Sequence, residues 1–384
     1  MRTSRGLTPK RGQTPLLLAL LFAGHIHAAA AEPWKTAAPD YAWSFPRDHW
    51  AHREYRIEWW YFTGHLETDD APKRKLGFQL TLFRIGLTPA APALDSDWAA
   101  SSVLLGHAAL TDKDGQRHRF AEVLYRETPF LAGFGAYPDP QLAWSRAPAG
   151  TDGIWRIRAT TDGFALEARD DTQGFAFDLA LEPGKPLVLQ GPNGLSRKAE
   201  APGAASLYYS FTRLGATGQV ELDGRRHAVR GQAWMDHEFS TSQLTAEQVG
   251  WDWFSLQLED GRDVMLYSLR RADGSADFAR GTIVDKDGGA RLLGAEEWTA
   301  RPTERWTSPR SRGRYPARWV VTVPSERLVL EARPTVADQE NSGRLAFGLH
   351  YWEGSVTVHD STGRTVGVGY VELTGYAPKS RPPL

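Results

Sequence analysis

Asp236, His237 and Glu238 stand consecutively in Ala233-Trp234-Met235-Asp236-His237-Glu238-Phe239, among large apolar and aromatic side chains. Unpaired charge is costly in such company, so these groups are kept either for pairing or for chemistry. On a strand, Trp234, Asp236 and Glu238 share one face while Met235, His237 and Phe239 share the other. Two carboxylates on one face repel unless one holds a proton or a cation intervenes, and this is how a carboxylic acid stays proton-loaded near neutral pH. His237 is then placed to orient a carboxylate or to take a proton from water. Asp252, between Trp251 and Trp253, is a further candidate acid in similar surroundings. The competing reading is a hydrogen-bonded polar cluster that fixes the packing between two domains.

A second aromatic stretch runs from Glu58 to His65. Alternation puts Trp59, Tyr61, Thr63 and His65 on one face and Glu58, Trp60 and Phe62 on the other. Rings on both faces predict a strand buried on both sides, in a barrel wall or beside a pocket. Trp59, Trp60, Tyr61, Trp234, Trp251, Asp252 and Trp253 are the expected ligand contacts. Other chemistries lack their residues. There is no Gly-x-Ser-x-Gly elbow, Thr241 stands where a zinc protease would need its second histidine, and no phosphate-cradling glycine loop occurs. Zero cysteines remove disulfides, thiolate metal sites and a cysteine nucleophile. His49 and His52 have no companion cluster nearby in sequence and read as solvated loop histidines, so neither metal nor cofactor is expected. A net charge of −1 gives no electrostatic footprint for nucleic acid.

The elements that must hold these residues are strands. Asp-Gly pairs at 114–115, 152–153, 162–163, 223–224, 260–261, 273–274 and 287–288 are hairpin signals, because both residues tolerate positive φ. Segments such as Trp155–Ala159, Phe175–Leu179, Trp319–Val323 and Gly354–Val358 alternate with one buried face. Helical periodicity is confined to a short stretch around Leu244 to Gln248. An all-β chain of this kind closes into barrels or stacks into sandwiches, since open sheets expose pairing edges. Fifteen Trp, 16 Phe and 12 Tyr suit large β cores and apolar pockets alike. A basic start, a short apolar run and small residues up to Ala31 read as a signal peptide over 1–31, and no later stretch is apolar enough for a membrane helix. Export to the periplasm or beyond is expected. Trp59–Glu67 lies without gaps on Trp251–Glu259, an aromatic hairpin occurring twice, as a duplicated barrel would leave behind. The boundary this suggests gives domains at 32–240 and 241–384. The Gly- and Pro-rich stretch from 183 to 205 is either a linker or a loop over a pocket mouth.

Glu54 to Leu66, Ala233 to Phe239 and Gly250 to Phe254 together resemble the AttH-type proteins related to carotenoid 1,2-hydratase. The resemblance implies two tandem lipocalin-like antiparallel β-barrels with a site near their junction, and exported members linked with ABC transport systems. Relatives in the wider group act without a metal on apolar polyene, terpenoid or polyketide-derived molecules, by hydration or cyclisation. In the hydratase branch an aspartate following a tyrosine is implicated as proton donor. The matching region here, Val264 to Arg270, keeps Tyr267 but follows it with Ser268, a departure that counts against carotenoid as the substrate. The sequence thus yields a catalytic reading, alkene hydration by Asp236, His237, Glu238 and Tyr267, and a rival one, a non-catalytic carrier that hands an apolar small molecule to an ABC transporter.

Overall fold

Each of the Asp-Gly pairs falls in the link between consecutive antiparallel strands. At the tightest link Asp223 and Gly224 both have positive φ, 51° and 76°, and join Ala205–Leu222 to Arg225–Ser240 in a two-residue hairpin. The computed structural model describes residues 33–90, 95–345, 348–378 and 380. The stretch read as a signal peptide lies outside them. Among the described residues the only helical pieces are short 3-10 turns, and none is long and apolar enough to cross a membrane. The short helical candidate near Leu244, open to being only a turn, is a turn feeding the strand that starts at Gln248. Five consecutive residues cannot close enough helical hydrogen bonds to stand alone, and strand pairing takes over.

Two antiparallel sheets follow one another along the chain. The first runs from Arg117–Arg126 through Ser102–Asp112, Lys75–Gly86 and Ile57–Thr68 to Arg225–Ser240 and Ala205–Leu222. It continues through Phe175–Pro183, Phe164–Asp170, Ile154–Ala159 and Gln141–Arg146 to Ala132–Phe134. Its ends curl together, Arg117–Arg126 touching Gln141–Arg146, so the barrel is nearly closed. The second sheet is ordered Ala290–Leu293, Ala276–Val284, Asp263–Arg271, Gln248–Leu258, Thr365–Leu373, His350–His359, Leu328–Pro334, Arg314–Val323 and Thr299–Thr307. Each sheet wraps its own core, Trp60, Phe62, Phe78 and Trp155 in the first, Phe254, Trp319 and Trp352 in the second. A third apolar cluster, with Tyr61, Tyr208, Trp234, Trp253, Tyr267 and Tyr370, lies where the sheets face one another.

The two strands of the aromatic repeat occupy equivalent places. Ile57–Thr68 pairs with its hairpin partner and with Arg225–Ser240; Gln248–Leu258 pairs with its hairpin partner and with Thr365–Leu373. Polar bonds hold the facing surfaces in register. Gln257 Nε2 donates to the Thr212 and Ala233 carbonyls at 2.8 and 3.0 Å, and buried Asp263 accepts from Lys185 Nζ at 2.6 Å and Arg213 Nη2 at 2.5 Å. The 183–205 stretch therefore does more than connect. It carries Lys185 to the second sheet, and two short strands within it, Val188–Leu189 and Leu195–Arg197, pair with Ala205–Leu222. Gly231 lies so close to its neighbour strand that a Cβ there would stand 1.9 Å from the His65 carbonyl oxygen. Gly231→Ala should therefore cost about 1–3 kcal/mol, the usual range for overpacking, read as a lowered urea midpoint with an unchanged m-value.

Candidate active site between the two barrels

The outer faces of Ile57–Thr68, Lys75–Gly86 and Arg225–Ser240 meet those of Gln248–Leu258 and Asp263–Arg271 around a cleft of about 1190 Å³, open mouth included. Strand alternation selects what lines it: Trp59, Phe83, Tyr208, Trp251, Trp253 and Tyr267 form largely aromatic walls. Asp236, Glu238 and Glu372 also line it, with Lys198 as the one lysine or arginine in the wall among the described residues. Lys198 Nζ lies 2.6 Å from Glu238 Oε1, which Ser206 also reaches, so this carboxylate is paired. Lys198 further sits 4.7 Å from the centre of the Tyr267 ring.

The remaining acids have no such cation. Burial pushes Asp236 up to about 7, although Ser210 Oγ at 2.5 Å and Trp234 Nε1 at 2.8 Å both donate to its Oδ1. Burial likewise raises Glu372 to about 7 against a hydrogen bond from Trp251, and the charges of Asp236 and Glu238 add to the rise. Behind Tyr61, whose hydroxyl donates to Glu353 Oε1 at 2.7 Å, burial and the facing Glu372 hold Glu353 well above the ordinary carboxyl range. Glu353 and Glu372 are directly opposite across neighbouring strands, where two negative charges would repel. The arrangement is a set of carboxyl groups that keep protons near neutral pH in an oily, ring-lined space.

The structure divides the residues singled out in the sequence. Asp236, Glu238, Tyr267, Trp59, Tyr61, Trp251 and Trp253 line the cleft together. Trp234 stands just behind, donating to Asp236 and meeting Trp253 edge-on at 6.1 Å. His237, Trp60 and Asp252 do not join them. His237 and Trp60 are fully buried on the barrel-facing side of their strands. Asp252 also points away from the cleft, bound by Arg270 Nε at 3.1 Å and the Tyr376 hydroxyl at 2.8 Å. Side-chain period decides this, since one-residue neighbours on a strand point to opposite sides.

Inside the first barrel a different polar system is complete in itself. Glu58 Oε1 accepts from His237 Nε2 at 2.9 Å and His52 Nδ1 at 2.8 Å, while Oε2 accepts from Arg84 Nε at 3.0 Å and the His52 amide at 2.9 Å. Tyr209 donates to His237 Nδ1 at 2.8 Å and receives from His49 Nδ1 at 2.6 Å. His52 is thus a buried network member and His49 a partly buried one, rather than solvated loop groups. Burial alone would raise Glu58, yet His52, His237 and Arg84 hold it well below the usual carboxylate value. Burial disfavours charge on His52, but Glu58 and Asp48 outweigh it and raise the imidazole to about 9. His52, Glu58 and His237 present three ligand atoms within 4.8 Å of one another, enough to hold a metal ion in principle. Arg84 already supplies positive charge there, and both Glu58 oxygens and His237 Nδ1 have donors. This group reads as a structural lock.

Glu353, Glu372, Lys198 and Tyr208 were not picked out from the sequence. A signal existed for the glutamates: each breaks an apolar alternating strand, Glu353 after Trp352 and Glu372 between Val371 and Leu373, the same incongruity that marked Asp236. Lys198 sits in an irregular stretch and carried none.

The AttH-like family matches residues 36–376. A crystal structure of a protein provisionally assigned as AttH from Nitrosomonas europaea is 32% identical, covers 89% of this chain and 100% of its own, and superposes with a TM-score of 0.77. Kievitone hydratase from Nectria haematococca is 13% identical with a TM-score of 0.63, covering 90% of this chain and 98% of its own, a likeness of fold. No curated protein matches the chain.

Two outcomes check this geometry. Asp236 and Glu372 titrate near 7 when folded, above the value of about 4 expected unfolded, so the stability they give is complete below about 4 and lost as pH rises through 7. The thermal midpoint should fall over that interval, and Asp236→Asn with Glu372→Gln should flatten the fall. Glu58→Gln, which strands Arg84 and His52, should cost about 3–5 kcal/mol in urea unfolding.

Proposed function

This chain belongs to the AttH-like family, and on that footing we propose that it binds an apolar, alkene-bearing small molecule between its barrels and hydrates it. The observation that carries the reading is Asp236, a carboxyl group that burial pushes up to about 7 and that faces an aromatic cleft. Ser210 and Trp234 both donate to Oδ1, with Tyr208 a further hydrogen-bond partner of the group, and the acid carries its proton on Oδ2. That proton passes to one alkene carbon and leaves a cation on the other, next to the ring faces of Trp251, Trp253 and Tyr61. Water adds to the cation, and its surplus proton returns to the Asp236 carboxylate. The net change is H and OH across the double bond, with the acid regenerated. Exclusion of bulk water by the aromatic walls favours the charged intermediate's contact with the rings over premature quenching. Tyr267 is fixed through its hydroxyl to the Arg197 carbonyl at 2.7 Å and shapes the wall beside Lys198. The fold of kievitone hydratase supports hydration as a reaction this architecture accommodates.

The same reading places the protein in the periplasm or outside the cell, exchanging its hydrophobic ligand with an ABC transporter, as the leader-like start and the family resemblance suggest. A carrier without turnover is the alternative. Native mass spectrometry of protein purified from its host identifies copurified ligand, which is then incubated in oxygen-18 water. Uptake of one labelled water supports hydration. Asp236→Asn should lower the rate by roughly a hundredfold or more while the ligand stays bound, and the wild-type rate should decline above pH 7 as the acid loses its proton. Ligand recovered unchanged with the wild type makes the protein a carrier.

A further inference from the structure

At the end of the cleft away from Glu238 and Lys198, the wall holds an imidazole with a bond to spare. His107, on Ser102–Asp112, is buried and lines the cleft, and its Nε2 has no partner among the described residues. Its tautomer follows from a one-directional chain of hydrogen bonds that crosses between the sheets. His118 Nε2 donates to Asn341 Oδ1 at 2.9 Å, and Asn341 Nδ2 donates to Gln79 Oε1 at 2.8 Å. Gln79 Nε2 then donates to the Tyr351 oxygen at 3.2 Å, which leaves the Tyr351 hydroxyl hydrogen for His107 Nδ1 at 2.8 Å. A ring that accepts at Nδ1 carries its hydrogen on Nε2. Burial lowers His107 to about 3, so the ring is neutral and has that single N–H. Glu122, opposite His107 on the next strand, has its Oε1 engaged by the amides of Arg344 and Leu345, while its Oε2 is also buried without a partner among the described residues and makes no hydrogen bond to His107. Buried donors without acceptors are rare in folded proteins, and one facing a cleft marks a place for a ligand atom.

Its distance from the acid sets a length. His107 is paired opposite Thr81, Thr81 opposite Tyr61, and Tyr61 opposite Asp236, and all line the cleft. With strands about 4.8 Å apart, the three steps span about 14 Å. We propose that His107 Nε2–H is a specificity-determining ligand contact: the cleft takes an elongated apolar molecule with a hydrogen-bond-accepting oxygen, such as a carbonyl or ether, roughly 14 Å from the carbon facing Asp236. This rests on the cleft being the ligand site and is independent of whether hydration follows binding.

The test uses the neutral fluorophore N-phenyl-1-naphthylamine bound to the full chain, displaced by tridecan-2-one or by the hydrocarbon tridec-1-ene of similar length. The ketone should displace it at about tenfold lower concentration than the alkene, the scale of one neutral hydrogen bond. His107→Phe should bring the two to parity by weakening the ketone alone, and His107→Gln, whose amide nitrogen reaches the place of Nε2, should restore the preference. If His107→Phe does not fold, Tyr351→Phe leaves the ring in place but frees its tautomer, and should lower the preference only partly. Equal displacement by both compounds in the wild type, or a full preference in His107→Phe or Tyr351→Phe, overturns the role of His107 while leaving the cleft as ligand site. Failure of both compounds to displace the fluorophore overturns the ligand-site reading and this inference with it.

Discussion

The contact between the outer faces of the two barrels sets the protonation of the acids it buries. Asp236 belongs to the first sheet and Glu353 and Glu372 to the second. On a barrel standing alone each would lie on a solvated outer face and titrate like any surface carboxylate. Closing the faces over them removes the water that would stabilise their charge, and with Lys198, itself paired to Glu238, the one lysine or arginine in the cleft wall among the described residues, the groups respond by keeping protons. Holding polar groups there is unfavourable. It is offset by the aromatic cluster of Tyr61, Tyr208, Trp234 and Trp253 and by the paired Asp263 with Lys185 and Arg213, which tie the sheets together.

A single strand serves two unlike purposes by alternation. The odd-numbered residues of Ile57–Thr68 present Trp59 and Tyr61 to the cleft, while Glu58 and Trp60 turn into the barrel. The same division runs through Asp236 and His237. The degree of hydrogen-bond satisfaction separates the two systems more clearly than residue type does. Both oxygens of Glu58 are fully engaged, as befits a lock. In the cleft His107 Nε2 is buried without a partner among the described residues, and so is Glu353 Oε2 behind Tyr61.

The equivalence of Ile57–Thr68 and Gln248–Leu258 gives the cleft its approximate symmetry. Each barrel contributes the strand flanked by its own hairpin partner and a later strand returning beside it, and each strand offers two aromatic side chains, Trp59 and Tyr61 facing Trp251 and Trp253. Arg84 and Arg270 sit at matching points of the repeat, opposite Glu58 and Gly250, but their acid partners do not, since Asp252 stands at the place of Trp60. The asymmetry that matters for chemistry lies in the neighbours: Asp236 from one side, Glu353 and Glu372 from the other.

The sequence by itself determined whatever depends on near neighbours. Alternation and Asp-Gly turns marked the strands and hairpins, the doubled aromatic stretch marked the two strands that face each other, and the Ala233–Phe239 motif pointed to the acid that lines the cleft. These follow from a period of two and from local φ preferences, both written in adjacent residues. Tertiary structure alone decided which side of each strand became cleft and which became barrel core, and so gave the cleft to Asp236 and the core to His237. It also brought Glu353 within reach of Tyr61 across 292 residues and set Glu372 opposite Glu353. Such partners are chosen by sheet order and register, which sum pairing over the whole chain, and no local pattern of residues encodes that sum.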